Sequence, residues 1–150
     1  MRRLLLALGM CALVVVACSH DDGGAAPTAE VRIATSGGDV TLHIAVADSP
    51  TERGRGLQGV TDFADDGGMA FLFDEPTNTA FWMKDTPLPL SIAFWAEDGR
   101  IIGLMDMPPC ATGACPTYRP DGEFVGALEA HRGFFDEHGV QVGDRIAIVR

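Results

Sequence analysis

Apolar and polar positions alternate with a period of two along much of the chain beyond residue 30, which predicts strands as its main element. Val40, Leu42, Ile44 and Val46 fall on one face of a segment whose other face carries His43, the pattern of a half-buried strand with a solvated histidine. A shorter alternation, Val31 to Ala34, precedes it across Gly37-Gly38. Met69-Ala70-Phe71-Leu72-Phe73 is an apolar run bounded by Gly67-Gly68 and by a turn predicted over Asp74 to Asn78. Asp98-Gly99 marks a hairpin leading into a strand from Arg100 to Met107, and Phe124 to Ala130 and Asp144 to Val149 complete the set. Two short helices interrupt this pattern. One starts at Ser49-Pro50-Thr51-Glu52, where Ser49 caps, Pro50 suits the first helical position and Glu52 reaches back to the cap. Gly54, Gly56 and Gly59 limit it to two turns ending near Leu57. The other covers Gly133 to His138 and is closed by Gly139.

The chain is organised around residues 81–94, which concentrate aromatics and prolines. In a strand ending at Lys84, Phe81 and Met83 share one face and Trp82 and Lys84 the other. On the strand that follows, Leu90, Ile92 and Phe94 oppose Ser91, Ala93 and Trp95. Pro87 and Pro89 stiffen the connection, so Lys84, Asp85 and Thr86 stand on a rigid loop. Two readings follow. In one, Trp82 and Trp95 form a flat platform for a sugar or another planar ligand, with Lys84, Asp85 and Ser91 supplying hydrogen bonds and Tyr118 and Glu129 belonging to the same binding set. In the other, which ranks ahead for these residues, the tryptophans fill a second small core and Lys84 pairs with Asp85 or Glu129.

The first residues change the picture from fold to address. Arg2 and Arg3 precede an apolar stretch from Leu4 to Val16, and Val15-Val16-Ala17 puts small or aliphatic side chains before Cys18, the layout of a secretory signal over residues 1–17. The run is short of the ~20 apolar residues that span a bilayer. Val-Val-Ala-Cys resembles a bacterial lipoprotein box, which makes Cys18 the site of lipid attachment, residues 18–30 a lipidated tether and residues 31–150 the folded domain. The tether is small and polar, with an r.m.s. reach of ~20 Å. Ser19, where an Asp is absent, resembles the pattern that does not retain lipoproteins at an inner membrane. The expected location is therefore extracytoplasmic, on the outer membrane or its periplasmic face where there are two membranes, with the lipid as the membrane contact.

Charge and cysteines narrow the chemistry. The formal net charge is −10, and −12 once Arg2 and Arg3 are removed with the signal, so nucleic acid is excluded as a partner and a glycan, a peptide or an envelope protein is expected instead. Cys11 leaves with the signal and Cys18 takes the lipid, which leaves Cys110 and Cys115 as a disulfide pair closing a small loop. Arg53 and Arg55 stand out in this acidic chain and await a carboxylate, with an internal salt bridge preferred over a ligand. Glu129 and His131 share a strand face and have His138 nearby, yet a carboxylate and an imidazole two residues apart are common by chance, so neither metal nor cofactor is expected.

Several of these runs together resemble the DUF192 family: Gly68-Met69-Ala70-Phe71-Leu72-Phe73, Phe81-Trp82-Met83-Lys84-Asp85-Thr86, Pro89-Leu90-Ser91-Ile92-Ala93-Phe94, Leu128-Glu129 with Gly133, and Gly143-Asp144. The likeness covers roughly residues 31–149. It implies a compact, mainly antiparallel β-sandwich or barrel of jelly-roll type with short helices, and it brings no activity, since the family is uncharacterised. Two positions depart from the family's pattern: Asp85 stands where Asn is usual and Ser91 where Asp is usual, and a polar contact survives the exchange if the two face each other across the bend.

Three function classes remain. A non-catalytic binding module using the Trp82/Lys84 loop ranks first, an accessory lipoprotein without a small ligand second and an enzyme third. No nucleophile elbow, phosphate loop or metalloprotease helix is present, and an acid–base pair such as Asp85 and Glu129 depends on a separation the sequence does not set. The reading of the N-terminal segment is checked by intact-mass measurement on membrane fractions: acyl mass is expected on Cys18, and a Cys18→Ser variant that stays in the membrane unmodified refutes it.

Overall fold

A computed structural model describes residues 29–110 and 113–149; the signal segment, Cys18 and the tether up to residue 28 lie outside the described residues. The chain runs β1 (Ala29–Thr35), β2 (Gly38–Ala47), α1 (Pro50–Arg55), β3 (Gly67–Thr77), β4 (Phe81–Trp82), β5 (Leu90–Trp95), β6 (Ile101–Met107), β7 (Thr117–Tyr118), β8 (Phe124–His131), α2 (Phe134–Glu137) and β9 (Arg145–Val149). Among the described residues, nine strands and two short helices make it mainly β.

Seven strands form one curled sheet in the order β6-β5-β8-β3-β2-β1-β9, and β4 pairs with β7 in a separate two-stranded ribbon. The pairs in the large sheet are antiparallel except β2 with β3, which run parallel. A parallel pair needs a crossover, and here α1 and the loop behind it supply one. The curl brings the two edges together at an antiparallel bridge between Arg100 and Arg145, so the sheet approaches a closed barrel and leaves little free edge at that end.

Local chemistry accounts for most of these elements. Ser49 accepts from the backbone N–H of Glu52, and the Glu52 carboxylate accepts from the Ser49 N–H at 3.0 Å, a complete capping box that starts α1. Those hydrogen bonds hold the Glu52 carboxyl below its usual range. The β5–β6 hairpin turns at Gly99, whose φ of 77° is open to glycine at no cost. Cys110 and Cys115 form a disulfide. The turn expected over Asp74 to Asn78 is not there. β3 continues to Thr77, with a register shift against β8 between Leu72 and Thr77, and such an irregularity is where a strand accommodates Pro76.

Both faces of the sheet are covered at its centre, and all six residues of β5 are buried. Val31, Leu42, Ile44, Ala70, Ala93, Trp95 and Leu128 belong to one core cluster, which Phe134 and Phe135 of α2 help to fill. Met69, Phe71, Leu90, Ile92, Phe94 and Ala127 belong to a second, covered by Leu57 and Val60 after α1 and by Met83 beside β4. Trp95 lies against β8 so closely that a Cβ added at Gly126 would fall 2.0 Å from its Cζ2. Gly126→Ala is therefore expected to destabilise the fold by about 3 kcal/mol, the upper end of overpacking costs, as read by urea denaturation.

Candidate functional site

The second face of the sheet carries a cavity of about 380 Å³. Its walls come from α1 and the turn after it (Arg53, Arg55, Gly56), from β3 (Phe71, Phe73), from β4 (Phe81, Trp82), from the bend (Thr86) and from β8 (Glu129). Period-two alternation explains how a carboxyl reaches it. Glu129 sits directly across from Met69 on β3 and Ile92 on β5, both of the second core, so its side chain projects from that same face.

Glu129 is 5% exposed, and among the described residues no hydrogen bond or ion pair satisfies its carboxyl. Burial pushes its pKa up to about 8, so it is a neutral acid at pH 7. The aromatic wall is a connected set. Phe81 meets Phe71 edge to face at 5.0 Å and Phe94 at 5.5 Å, and Phe94 meets Phe124 at 4.9 Å. A Cβ at Gly56 would stand 3.4 Å from the Phe71 ring, and the residue's φ of 50° suits glycine.

The two arginines divide. Arg53 does not make the expected salt bridge: its guanidinium donates to the carbonyls of Asp48 (2.6 Å) and Leu72 (2.8 Å) and lies 4.8 Å from the Phe73 ring centroid. Backbone carbonyls thus fix it between the start of α1 and β3. Arg55 is exposed and has no partner among the described residues.

The seven residues singled out in the sequence do not form one site. Trp82, 52% exposed, and Glu129 line the cavity. Lys84 and Asp85 are exposed and off its walls; the Lys84 ammonium sits 5.5 Å from the Trp82 ring centroid and makes no ion pair with Asp85 or Glu129. Tyr118 pairs with Phe81 in the ribbon and packs behind it. Trp95 and Ser91 project from the opposite face, so the sheet itself separates Trp95 from Trp82 and the tryptophan platform does not assemble. Ser91 does not meet Asp85. Its hydroxyl donates to Asp106 at 2.6 Å and accepts from the Gly133 N–H at 2.9 Å. Asp85 has φ of 56°, the left-handed conformation that Asn and Asp tolerate best, and its carbonyl accepts from the Gly59 N–H, which ties the bend to the end of α1. Asp85 and Glu129 therefore do not share the cavity as an acid–base pair. His131 bonds the Phe63 carbonyl and His138 the Phe134 carbonyl, and among the described residues no group of three metal-ligating side chains converges.

A family model for DUF192, described as an uncharacterized ACR, matches residues 31–148, most of the chain and all of the cavity wall. The chain belongs to the DUF192 family. Solved structures with the same fold accompany this DUF192 domain. A protein of Sinorhizobium meliloti 1021, described as a proposed transcription regulator, is 31% identical with a TM-score of 0.73, covering 84% of this chain and 98% of its own. A protein of unknown function from Novosphingobium aromaticivorans DSM 12444 is 24% identical with a TM-score of 0.74, covering 86% and 97%, a likeness of fold. No curated protein matches the chain.

Sequence reasoning placed Glu129 in the binding set and on a strand face with His131 without establishing that the face is buried, and it gave Phe71, Phe73 and Phe81 no part in the site. The cluster of Arg53, Gly54, Arg55 and Gly56 in one helix was the signal available. The buried carboxyl makes a test. Its folded pKa lies above the unfolded value of 4.5, so the folded state holds a proton that the unfolded state has lost between pH 4.5 and about 8. Stability from this group is complete below pH 4.5 and declines until about pH 8. Glu129→Gln keeps the shape without the titration, so its stability advantage over the parent should grow across that window by a few kcal/mol and then level off. Chemical denaturation of both proteins at several pH values measures it.

Proposed function

We propose that this chain is a lipid-anchored, extracytoplasmic binding module of the cell envelope whose cavity over Glu129 takes a small ligand. The observation that carries the reading is Glu129 itself: a buried carboxyl without a partner, open to a cavity with aromatic walls. Among the described residues no fully buried side-chain oxygen lacks a partner, so the Glu129 oxygens open onto the cavity, and a carboxyl desolvated there without a protein partner costs stability that a purely structural domain gains nothing by losing. An accessory lipoprotein without a ligand would satisfy that carboxyl from within, which is why the binding reading ranks first. The anchored, extracytoplasmic placement rests on the secretory pattern of residues 1–17, on Cys18 and, more weakly, on the disulfide, a bond of oxidising compartments. The regulator role attached to the Sinorhizobium protein is not carried over, because a formal charge of −10 opposes contact with nucleic acid.

The test is a thermal-shift screen of the full chain in detergent against glycans, peptides, amino acids and cell-wall fragments. A true ligand at one hundred times its dissociation constant is expected to stabilise the protein by ~2.7 kcal/mol, and Glu129→Gln is expected to lose or reduce that response. Silence across the whole screen overturns the reading.

A further inference from the structure

The chemistry on the walls is specific enough to name the class of ligand, provided the cavity binds a small molecule as proposed above. We propose that the site receives a zwitterion of the amino-acid type with an apolar side chain: Glu129 takes its ammonium, Phe71, Phe81 and Trp82 flank its carbon skeleton, and Arg55 takes its carboxylate. Glu129 is the one carboxyl on the cavity wall, it is buried, and among the described residues its hydrogen-bond capacity is unused. An ammonium brings three donors and a full positive charge, which a desolvated carboxylate pairs with more strongly than any neutral group does.

A simple organic cation would meet Arg53 and Arg55 on the same walls and be repelled. A simple anion would face Glu129. Only a ligand with both signs finds a matching group on these walls for each of its charges, and in an amino acid the two charges share one carbon. Arg53 is held by the carbonyls of Asp48 and Leu72, whereas Arg55 is exposed and unpaired, so Arg55 is the group free to take a carboxylate. A neutral sugar fits poorly. Its many hydroxyls need many partners, while Gln58 already donates to the Gly54 carbonyl and much of the remaining wall is aromatic. A volume of about 380 Å³ lies at the small-molecule end of binding cavities, which suits an amino acid with a bulky side chain.

The proton has to be accounted for. Without a cationic partner Glu129 is the neutral acid, so pairing with an ammonium sends one proton from Glu129 to solvent, and the ligand keeps its own. Arg53 and Arg55 are the other ionisable groups on the cavity wall. His131, next along the same face of β8, is engaged with the Phe63 carbonyl and stacked on that ring at 4.0 Å.

Titration calorimetry of the full chain in detergent separates the outcomes, with L-phenylalanine and L-leucine as zwitterions, phenethylamine as the amine alone, 3-phenylpropionate as the acid alone and N-acetylglucosamine as a neutral sugar. Both zwitterions are expected to bind, each single-ended analogue at least about tenfold more weakly. At pH 6.5 the heat for L-phenylalanine should vary with the ionisation heat of the buffer as expected for release of about one proton. Glu129→Gln should abolish that dependence and weaken L-phenylalanine by about tenfold or more while leaving 3-phenylpropionate unchanged, and Arg55→Gln should do the reverse for phenethylamine. The pH profile of Glu129→Gln stability shows independently that the variant is folded. Binding of the sugar or of 3-phenylpropionate as tightly as the zwitterions, or a heat independent of buffer, overturns the amino-acid assignment and leaves a binding module with another ligand. Silence from all five overturns it too, and silence across the wider screen as well removes the binding reading.

Discussion

A sheet in which β5 buries all six of its residues, on both faces, has to be covered twice, and this requirement organises the rest of the molecule. The first face covers itself. The curl of the seven strands turns that face inward, and α2 contributes Phe134 and Phe135 to the interior. The second face has no such recourse, because a curled sheet presents its outer surface to water. Its cover is assembled from connections: the β2–β3 crossover with α1, the β4–β7 ribbon, and the proline-stiffened bend before β5. Connections fill space less completely than a second sheet would, and the space they leave is the cavity over Glu129.

The cover is held to itself as much as to the sheet. The Gly59 N–H reaches the Asp85 carbonyl, Lys84 forms a bridge with Cys110, and the disulfide closes the loop that runs from that bridge to β7. Arg53 adds two bonds to backbone carbonyls, one on its own side of the crossover and one on β3. These contacts fix the rings of Phe81 and Trp82 and the guanidinium of Arg53 relative to the sheet. Preorganisation of that kind is what a binding wall requires, since ordering side chains on binding costs about 0.5–1.5 kcal/mol for each flexible one. Against that stands Glu129, which weakens the domain as pH rises. A group that lowers stability and faces a cavity belongs to the class of local conflict that binding sites show.

What the sequence disclosed follows the range of the interactions. The β1–β2 hairpin, the faces of β2 and β5, the capping box of α1, the Gly99 turn and the disulfide are all set within a few residues, and each was legible. The parallel pairing of β2 with β3 and the pairing of β4 with β7 instead of β5 depend on distant partners and left no local mark. The platform of Trp82 and Trp95 failed for that reason: the alternation around each tryptophan was read correctly, but the two strands belong to different sheets, and the residue faces do not carry over from one to the other. Glu129 was hidden differently. A charged residue alternating with apolar ones normally marks the solvated face of a strand, and only a cover brought from elsewhere makes that face interior.

The two departures from the family pattern also resolve once the faces are known. At residue 85 the backbone is left-handed, a conformation that Asn and Asp both accept, so Asp in place of Asn preserves the bend without touching the cavity. At residue 91 the family's carboxylate is replaced by a hydroxyl, and the charge comes from Asp106 directly across the β5–β6 ladder, with Ser91 relaying the contact to the Gly133 N–H at the start of α2. Arg132 also reaches Asp106, at 3.4 Å, which keeps that carboxylate over the junction between β8 and α2. Both changes therefore concern the shape of the scaffold, one in the bend and one on the far face of the sheet. Glu129, by contrast, lies in the Leu128-Glu129 run that carries the resemblance to the family, so the carboxyl on which the binding reading rests stands apart from the positions where this chain goes its own way.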